Sequence, residues 1–281
     1  MLKMFKRKQD PRAGLAAVLG EFELPGFPMA VMEVLRSLRD PEKDLESIAT
    51  RVETDPGMSV GVLKMVNSAA FGLASEVDTV GHGLAMLGRA RLESLVLGVV
   101  VRDVLPKEPA AGFESARFWS TAARRATMAR LLASRLHPAT EEQSFTSALL
   151  QDMAVPVLAS VKGEAYGSVL EAWHAQGDAA LEHLEHEAFQ WDHAEIGSMM
   201  ATLWELPTPL VGGIGGHHDA DEDDAEPAVQ LVGHLREAET EAGLERLASD
   251  AEARFGIDRA EITDLSQRAE EQADELAALM K

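Results

Sequence analysis

The chemistry of this chain is concentrated in its histidines: seven of nine fall between residues 174 and 234. His183 and His186 stand three apart, so on a helix they share a face and could jointly hold a divalent ion. Two imidazoles alone hold a metal poorly, and Glu182, Glu185 and Glu187 surround them, so an exposed, charged helix is expected there. Asp192-His193-Ala194-Glu195 has the form of a helix start, with Asp192 as cap and Glu195 three residues on. Gly197 then permits close approach of a neighbouring helix. His217-His218 closes an apolar segment carrying Leu210, Val211 and Ile214. An imidazolium would suit the negative end of that helix, and the pair could equally point into a pocket.

Other chemical templates fail. Gly212, Gly213, Gly215 and Gly216 lie in a GGIGG run, but no strand precedes it and no Lys-Ser/Thr follows, which argues against a phosphate loop. No nucleophile elbow surrounds any serine. Cysteine is absent, which excludes disulfides, thiolate zinc sites, iron–sulfur clusters and a cysteine nucleophile, and fits a reducing compartment. The basic opening Met1–Lys8 is followed by no apolar core or cleavage site, and no apolar run is expected to cross a bilayer. A soluble, cytoplasmic protein is expected.

The elements that must position these residues read as helices almost throughout. Of 281 residues 46% are hydrophobic, enough for a sizeable core, and Ala, Leu, Met and Glu dominate. Val31, Val34, Leu35 and Leu38 form one apolar stripe over 28–39, and Leu45, Ile48, Ala49 and Val52 another over 44–53. Asp55-Pro56 marks a helix start, where the missing proline N–H costs nothing. Further helices are expected at 57–70, 89–104, 114–136, 141–152, 164–176, 179–189, 193–204 and 208–217. Leu105–Gly112 is a Pro/Gly break between a front lobe and a back lobe, and Asp219–Asp224 an acidic turn. Beyond it, Ile262, Leu265, Leu276 and Leu279 give residues 258–280 an amphipathic stripe, expected to cap the back lobe. No strand-and-crossover alternation occurs, so the class is all-α.

Charge is uneven. Residues 1–140 hold 19 Lys/Arg against 16 Asp/Glu, a net of +3, which leaves 7 against 31, a net of −24, for the rest. Such a surface repels phosphate backbones and anionic lipid, so neither nucleic acid nor membrane is expected as a partner.

Ordered along the chain, the motifs form a pattern. Leu24-Pro25-Gly26-Phe27-Pro28 comes first, then Asp55–Ser59, Leu63–Gly72 with its Asn67-Ser68 pair, and Val80–Gly88. Phe118-Trp119, Ala148–Asp152, Glu187-Ala188-Phe189, Asp192–Gly197, Trp204–Pro207 and His217-His218 follow. Over residues 21–219 this order resembles the HDOD domain, the HD-related output domain of bacterial signalling proteins. The resemblance implies a two-lobe helical protein, an N-terminal helical bundle (21–105) packed on a degenerate HD-type bundle (113–219). Residues 1–20 and 220–281 fall outside it.

HD phosphohydrolases hold their metal through a first His, a His-Asp pair and a later Asp. The resemblance puts Thr121 where the first His would stand, Gln151-Asp152 at the His-Asp pair, and Gly233 near the last Asp. Hydroxyl and amide are poor replacements for imidazole, so neither a bound metal nor a cofactor is expected, and Asp152 is expected as a cap or buried acceptor. Thr121, Gln151, Asp152, His193, His217 and His218 then outline a vestigial pocket. Asn67 and Ser68 are expected to bond nearby backbone, with a lobe–lobe contact as second reading. Arg117, Arg124, Arg125, Arg130 and Arg135 are expected as a basic stripe facing the acidic remainder of the lobe, with an anionic ligand or phosphorylated partner at Arg124 and Arg125 as the minor alternative.

The function expected is a non-catalytic signalling module that acts through contacts with signalling proteins, homo-oligomers included. Two alternatives are a residual metal-dependent phosphohydrolase using Asp152, His193, His217 and His218, and a sensor that binds a nucleotide without hydrolysing it.

Overall fold

A computed structural model describes residues 10–73, 75–107, 112–175, 180–219, 225–236 and 240–280. No strand occurs among them, and the protein is all-α. Residues 108–111 of the expected Pro/Gly break and 220–224 of the acidic turn lie outside the described residues.

α1 (Pro11–Leu19) packs against residues 193–203 of the back lobe, and the front lobe begins with α2 (Met29–Arg39), α3 (Leu45–Glu53) and α4 (Pro56–Val66). Asp10, Asp44 and Asp55 cap α1, α3 and α4 through their side chains, each accepting from a backbone N–H two or three residues on. After a short 3-10 turn, Ala69–Phe71, comes α5 (Val80–Val104), which runs farther forward than the expected 89–104. Gly88, at φ 79°, kinks it, a conformation that costs any side chain but glycine dearly.

The back lobe comprises α6 (Ser115–Leu136), α7 (Glu141–Leu150), α8 (Ala154–Lys162), α9 (Glu164–Ala175), α10 (Leu181–Phe189), α11 (His193–Leu203), α12 (Thr208–Gly215) and α13 (Pro227–Val232). Two C-terminal helices, α14 (Thr240–Phe255) and α15 (Arg259–Met280), complete the chain. One run does reach membrane-spanning length and apolarity, Pro138–Lys162, contrary to the expectation above. The turn at 151–153 splits it into α7 and α8, and 83% of its most apolar window is buried inside the protein.

One apolar core runs through both lobes, from Leu35, Ile48 and Leu95 to Phe145, Leu158 and Met200. A second, built from α6, α13, α14 and α15, includes Met128, Leu231, Leu247 and Ile262. The C-terminal helix does more than cap the back lobe. It lies along α6 and reaches the front lobe, where Arg102 donates to the Leu279 carbonyl at 2.7 Å and Ala69 N donates to Glu275 at 2.5 Å. Between the lobes Arg91 pairs with Glu142 at 2.7 Å.

The Leu24–Pro28 segment locks onto the back lobe at Trp204. Phe27 stacks on that indole at 4.8 Å between centroids, and Trp204 Nε1 donates to the Pro25 carbonyl at 2.9 Å. Trp204→Ala is therefore expected to cost about 3–5 kcal/mol of stability in denaturant unfolding, as for other buried aromatics. A loss below about 1 kcal/mol would show that this segment does not hold the lobes together.

Candidate functional site

Four of the six expected pocket residues meet at the floor of one back-lobe cavity of about 620 Å³: Asp152, His193, His217 and His218. Thr121 and Gln151 are buried but do not line it, and neither amide atom of Gln151 finds a partner. Gly233 does line the cavity, facing the site as the resemblance implies but with no side chain to offer.

Local sequence chemistry sets each group. Asp192 caps α11, its carboxylate accepting from Glu195 N at 2.8 Å, which makes His193 the first helical residue and aims it inward. His217 and His218 leave the end of α12, and their depth depends on glycine. A Cβ on Gly213 would stand 2.5 Å from Ser147 Oγ and 2.8 Å from Ser147 Cβ, and one on Gly197 would stand 3.0 Å from Ile214. The glycine run thus serves close packing of α12 against α7 and α11.

The cluster is tightly wired. His217 Nδ1 donates to the Ile214 carbonyl at 2.7 Å. Glu185 accepts from His193 N at 2.9 Å and from His193 Nδ1 at 2.7 Å, while Tyr166 OH donates to its other oxygen. His193 Nε2 lies 3.3 Å from His217 Nε2 and 2.9 Å from His218 Nε2. Asp152 Oδ1 lies 3.4 Å from Nε2 of both His193 and His217 and has no hydrogen-bond partner, while Oδ2 forms an ion pair with Arg125. Arg125 Nε also donates to the Leu235 carbonyl at 2.7 Å.

Electrostatics follow from this wiring. Burial opposes ionisation of Asp152, but Arg125 and the imidazoles of His193 and His217 outweigh it and hold the carboxyl well below its ordinary range. Burial likewise opposes charge on His193, and the carboxylates of Glu185 and Asp152 lift it well above an ordinary imidazole. His218 goes the other way, pushed well down by burial and by its two imidazole neighbours. Two neighbouring imidazoles are thus pushed in opposite directions, an arrangement suited to passing a proton between them.

Several expectations need correction. Glu185 is not part of an exposed charged face: it is fully buried, whereas His183 and His186 on the same helix are exposed. Its buried partner there is Tyr166, in the first turn of the preceding helix. Asp152 caps no helix through its side chain, though it is a buried acceptor. The arginines of α6 form no common stripe. Arg125 enters the cavity, and Arg124 donates to the Arg236 carbonyl at 3.1 Å. Arg130 lies over Phe71 and Phe145, while Arg117 and Arg135 pair with Glu114 and Glu261. Asn67 closes the loop to Val77 by two hydrogen bonds, 2.9 and 2.8 Å, and Ser68 Oγ donates to Met65 O at 2.7 Å. What packs beside this pair is α15.

The HDOD domain profile matches residues 24–220, and the chain belongs to the HDOD family. An uncharacterized protein of Treponema pallidum (strain Nichols) is 27% identical over 202 residues, 70% of this chain but only 38% of that protein's length. The fold is shared with a protein of Shewanella amazonensis SB2B provisionally named a phosphohydrolase (TM-score 0.77, 23% identity, 96% of this chain and 98% of that one). It is shared too with an HDOD domain protein of unknown function from Geobacter sulfurreducens (TM-score 0.72, 18% identity, 96% and 95%). A third, from Marinobacter aquaeolei VT8 and provisionally named for signal transduction, has TM-score 0.74 and 18% identity over 96% of this chain and 65% of that one.

Gly213→Ala is expected to destabilise the protein by about 1–3 kcal/mol despite alanine's higher helix propensity, because Ser147 Cβ cannot move aside as a flexible tip would. Thermal unfolding reads this, and unchanged or raised stability would contradict the packing account.

Proposed function

We propose that this chain is a non-catalytic, cytoplasmic signalling module that acts through contacts with other signalling proteins. The observation that carries this reading is the Arg125–Asp152 ion pair. In an HD phosphohydrolase the Asp of the His-Asp pair neutralises a metal that activates water. Here a guanidinium fixed on α6 neutralises that carboxylate instead, and an arginine can neither shed its charge nor generate hydroxide. The family's donor set does not fit the remaining residues: Thr121 and Gln151 lie off the cavity, and Gly233 has no side chain. The fold shared with the Marinobacter protein named for signal transduction agrees with this reading.

A nucleotide sensor is supported less well. Cations line the cavity, but Arg125 is spent on Asp152, and Arg254 is held by Asp250 at 3.1 Å and Gln230 at 2.6 Å. The net charge of −21 speaks against nucleic acid or anionic membrane as partner.

The test is an assay of purified protein with bis(p-nitrophenyl) phosphate and a panel of nucleotides, with Mg²⁺ or Mn²⁺ present. Release of product at the same background rate in the wild type and Asp152→Ala is expected, together with a protein partner that co-purifies at native expression. Turnover abolished by Asp152→Ala would overturn the reading.

A further inference from the structure

Away from the back-lobe cavity, an apolar groove of about 740 Å³ runs between α4 and the end of α15. Val60, Leu63 and Lys64 share one face of α4 at three- and four-residue spacing and form one wall. Glu275, Ala278 and Leu279 repeat that spacing on α15 and form the other, with the loop through Glu76 and Asp78 beside them. Val60 is 53% exposed, while Leu63 and Leu279 pack on the core and stay partly open. An apolar strip between two helix faces takes a third helix, whose own side chains at three- and four-residue spacing fill it.

Charge decides what kind of helix fits. Glu76, Asp78 and Glu275 stand exposed around the apolar strip against a single cation, Lys64. Neither Glu76 nor Asp78 has an ion pair among the described residues. The last turns of α4 and α15 both border the groove, and the negative end of each helix adds to the field. Lys64 offsets that of α4, whereas α15 has no basic residue in its last turn, where Arg102 reaches the Leu279 carbonyl. We propose that this groove docks an amphipathic helix of another signalling protein, rich in lysine or arginine beside its apolar stripe.

A second copy of this chain is a poor occupant. Residues 141–281 carry the net charge of −24, and a face of like charge is repelled. One wall of the groove, α15, lies beyond the 24–220 family match. Docking of this kind rests on the signalling reading above and gives its contact a place on the surface.

Two fluorescein-labelled peptides of about fifteen residues, long enough to form a helix, provide the test. Both carry leucines along one face; the other positions hold lysine and alanine in one peptide, glutamate and alanine in the second. At physiological salt, fluorescence anisotropy should show the full-length protein binding one lysine peptide per chain and no glutamate peptide. Val60→Glu adds negative charge but spoils the apolar strip, and should weaken binding about tenfold or more. Glu76→Lys combined with Asp78→Lys should do the same. Glu171→Lys with Glu187→Lys, an equal charge change at exposed positions of α9 and α10, should leave binding unchanged. All six positions named lie at the surface or on its edge, so melting temperatures should match the wild type. A photo-crosslinking residue in place of Val60, irradiated in cells at native expression, should join the chain to a segment of another protein with the same apolar and basic pattern. Binding that is absent, that survives Val60→Glu, or that falls equally in the Glu171 and Glu187 variant overturns the groove as the site. So does a crosslink to an acidic segment, to lipid, to a second copy of this chain, or to nothing. Each of these failures leaves the signalling reading standing, which falls instead if turnover is lost in Asp152→Ala.

Discussion

A single buried charge organises the back lobe. Asp152 stays ionised with only 16% of its side chain exposed because the Arg125 guanidinium, 6% exposed, sits against it. Taking either charge out of water costs several kcal/mol, which their attraction offsets only while both remain in place. The same arginine reaches the Leu235 carbonyl, so it ties α6 to the turn after α7 and to the segment after α13. Around that pair the remaining polar groups fall into line: Asp152 faces His193 and His217, and Glu185 with Tyr166 holds His193 from behind. Removing either charge would leave the other stranded beneath three imidazoles.

Helix packing delivers these groups to one point. Small residues let α12 sit close on α7 and α11, so two histidines from one helix end meet a third from a helix start. The second core, formed by α6, α13, α14 and α15, closes the cavity from the other side, and α15 continues to the front lobe. Beyond the 24–220 family match, the C-terminal helices are thus part of the site's wall and of the lobe joint, through Asp250 and Arg254 in the first case and Glu275 and Leu279 in the second.

Much of the fold was legible because helices with one apolar face announce themselves. The stripes at Val31–Leu38 and Ile48–Val52, and the caps at Asp55 and Asp192, stand where their spacing placed them, while Leu45, expected in the second stripe, is exposed because it is the first residue of its helix. Elements without contrast were not legible. The segment Ala154–Lys162 is apolar nearly all round and gives no periodic signal, and α14 buries small alanines (Ala248 and Ala251) beside a single fully buried leucine, Leu247. The site divides in the same way. The histidine motifs and Asp152 were visible as motifs, while Arg125 and Glu185 looked like surface charges on helices rich in charge. Burial of an ion depends on partners distant in sequence, here 27 residues for Arg125 and Asp152, and no local pattern reports it.

The central claim, that Arg125 has taken the role of counter-ion to Asp152, is tested most directly by a double-mutant cycle on unfolding free energy. Arg125→Met and Asp152→Asn, singly and together, should be unfolded in denaturant after chelator treatment. The account predicts that each single change costs about 3–5 kcal/mol and that the double variant is little worse than either, since neither charge is then left uncompensated. Additive losses, or single losses below about 1 kcal/mol, would contradict it.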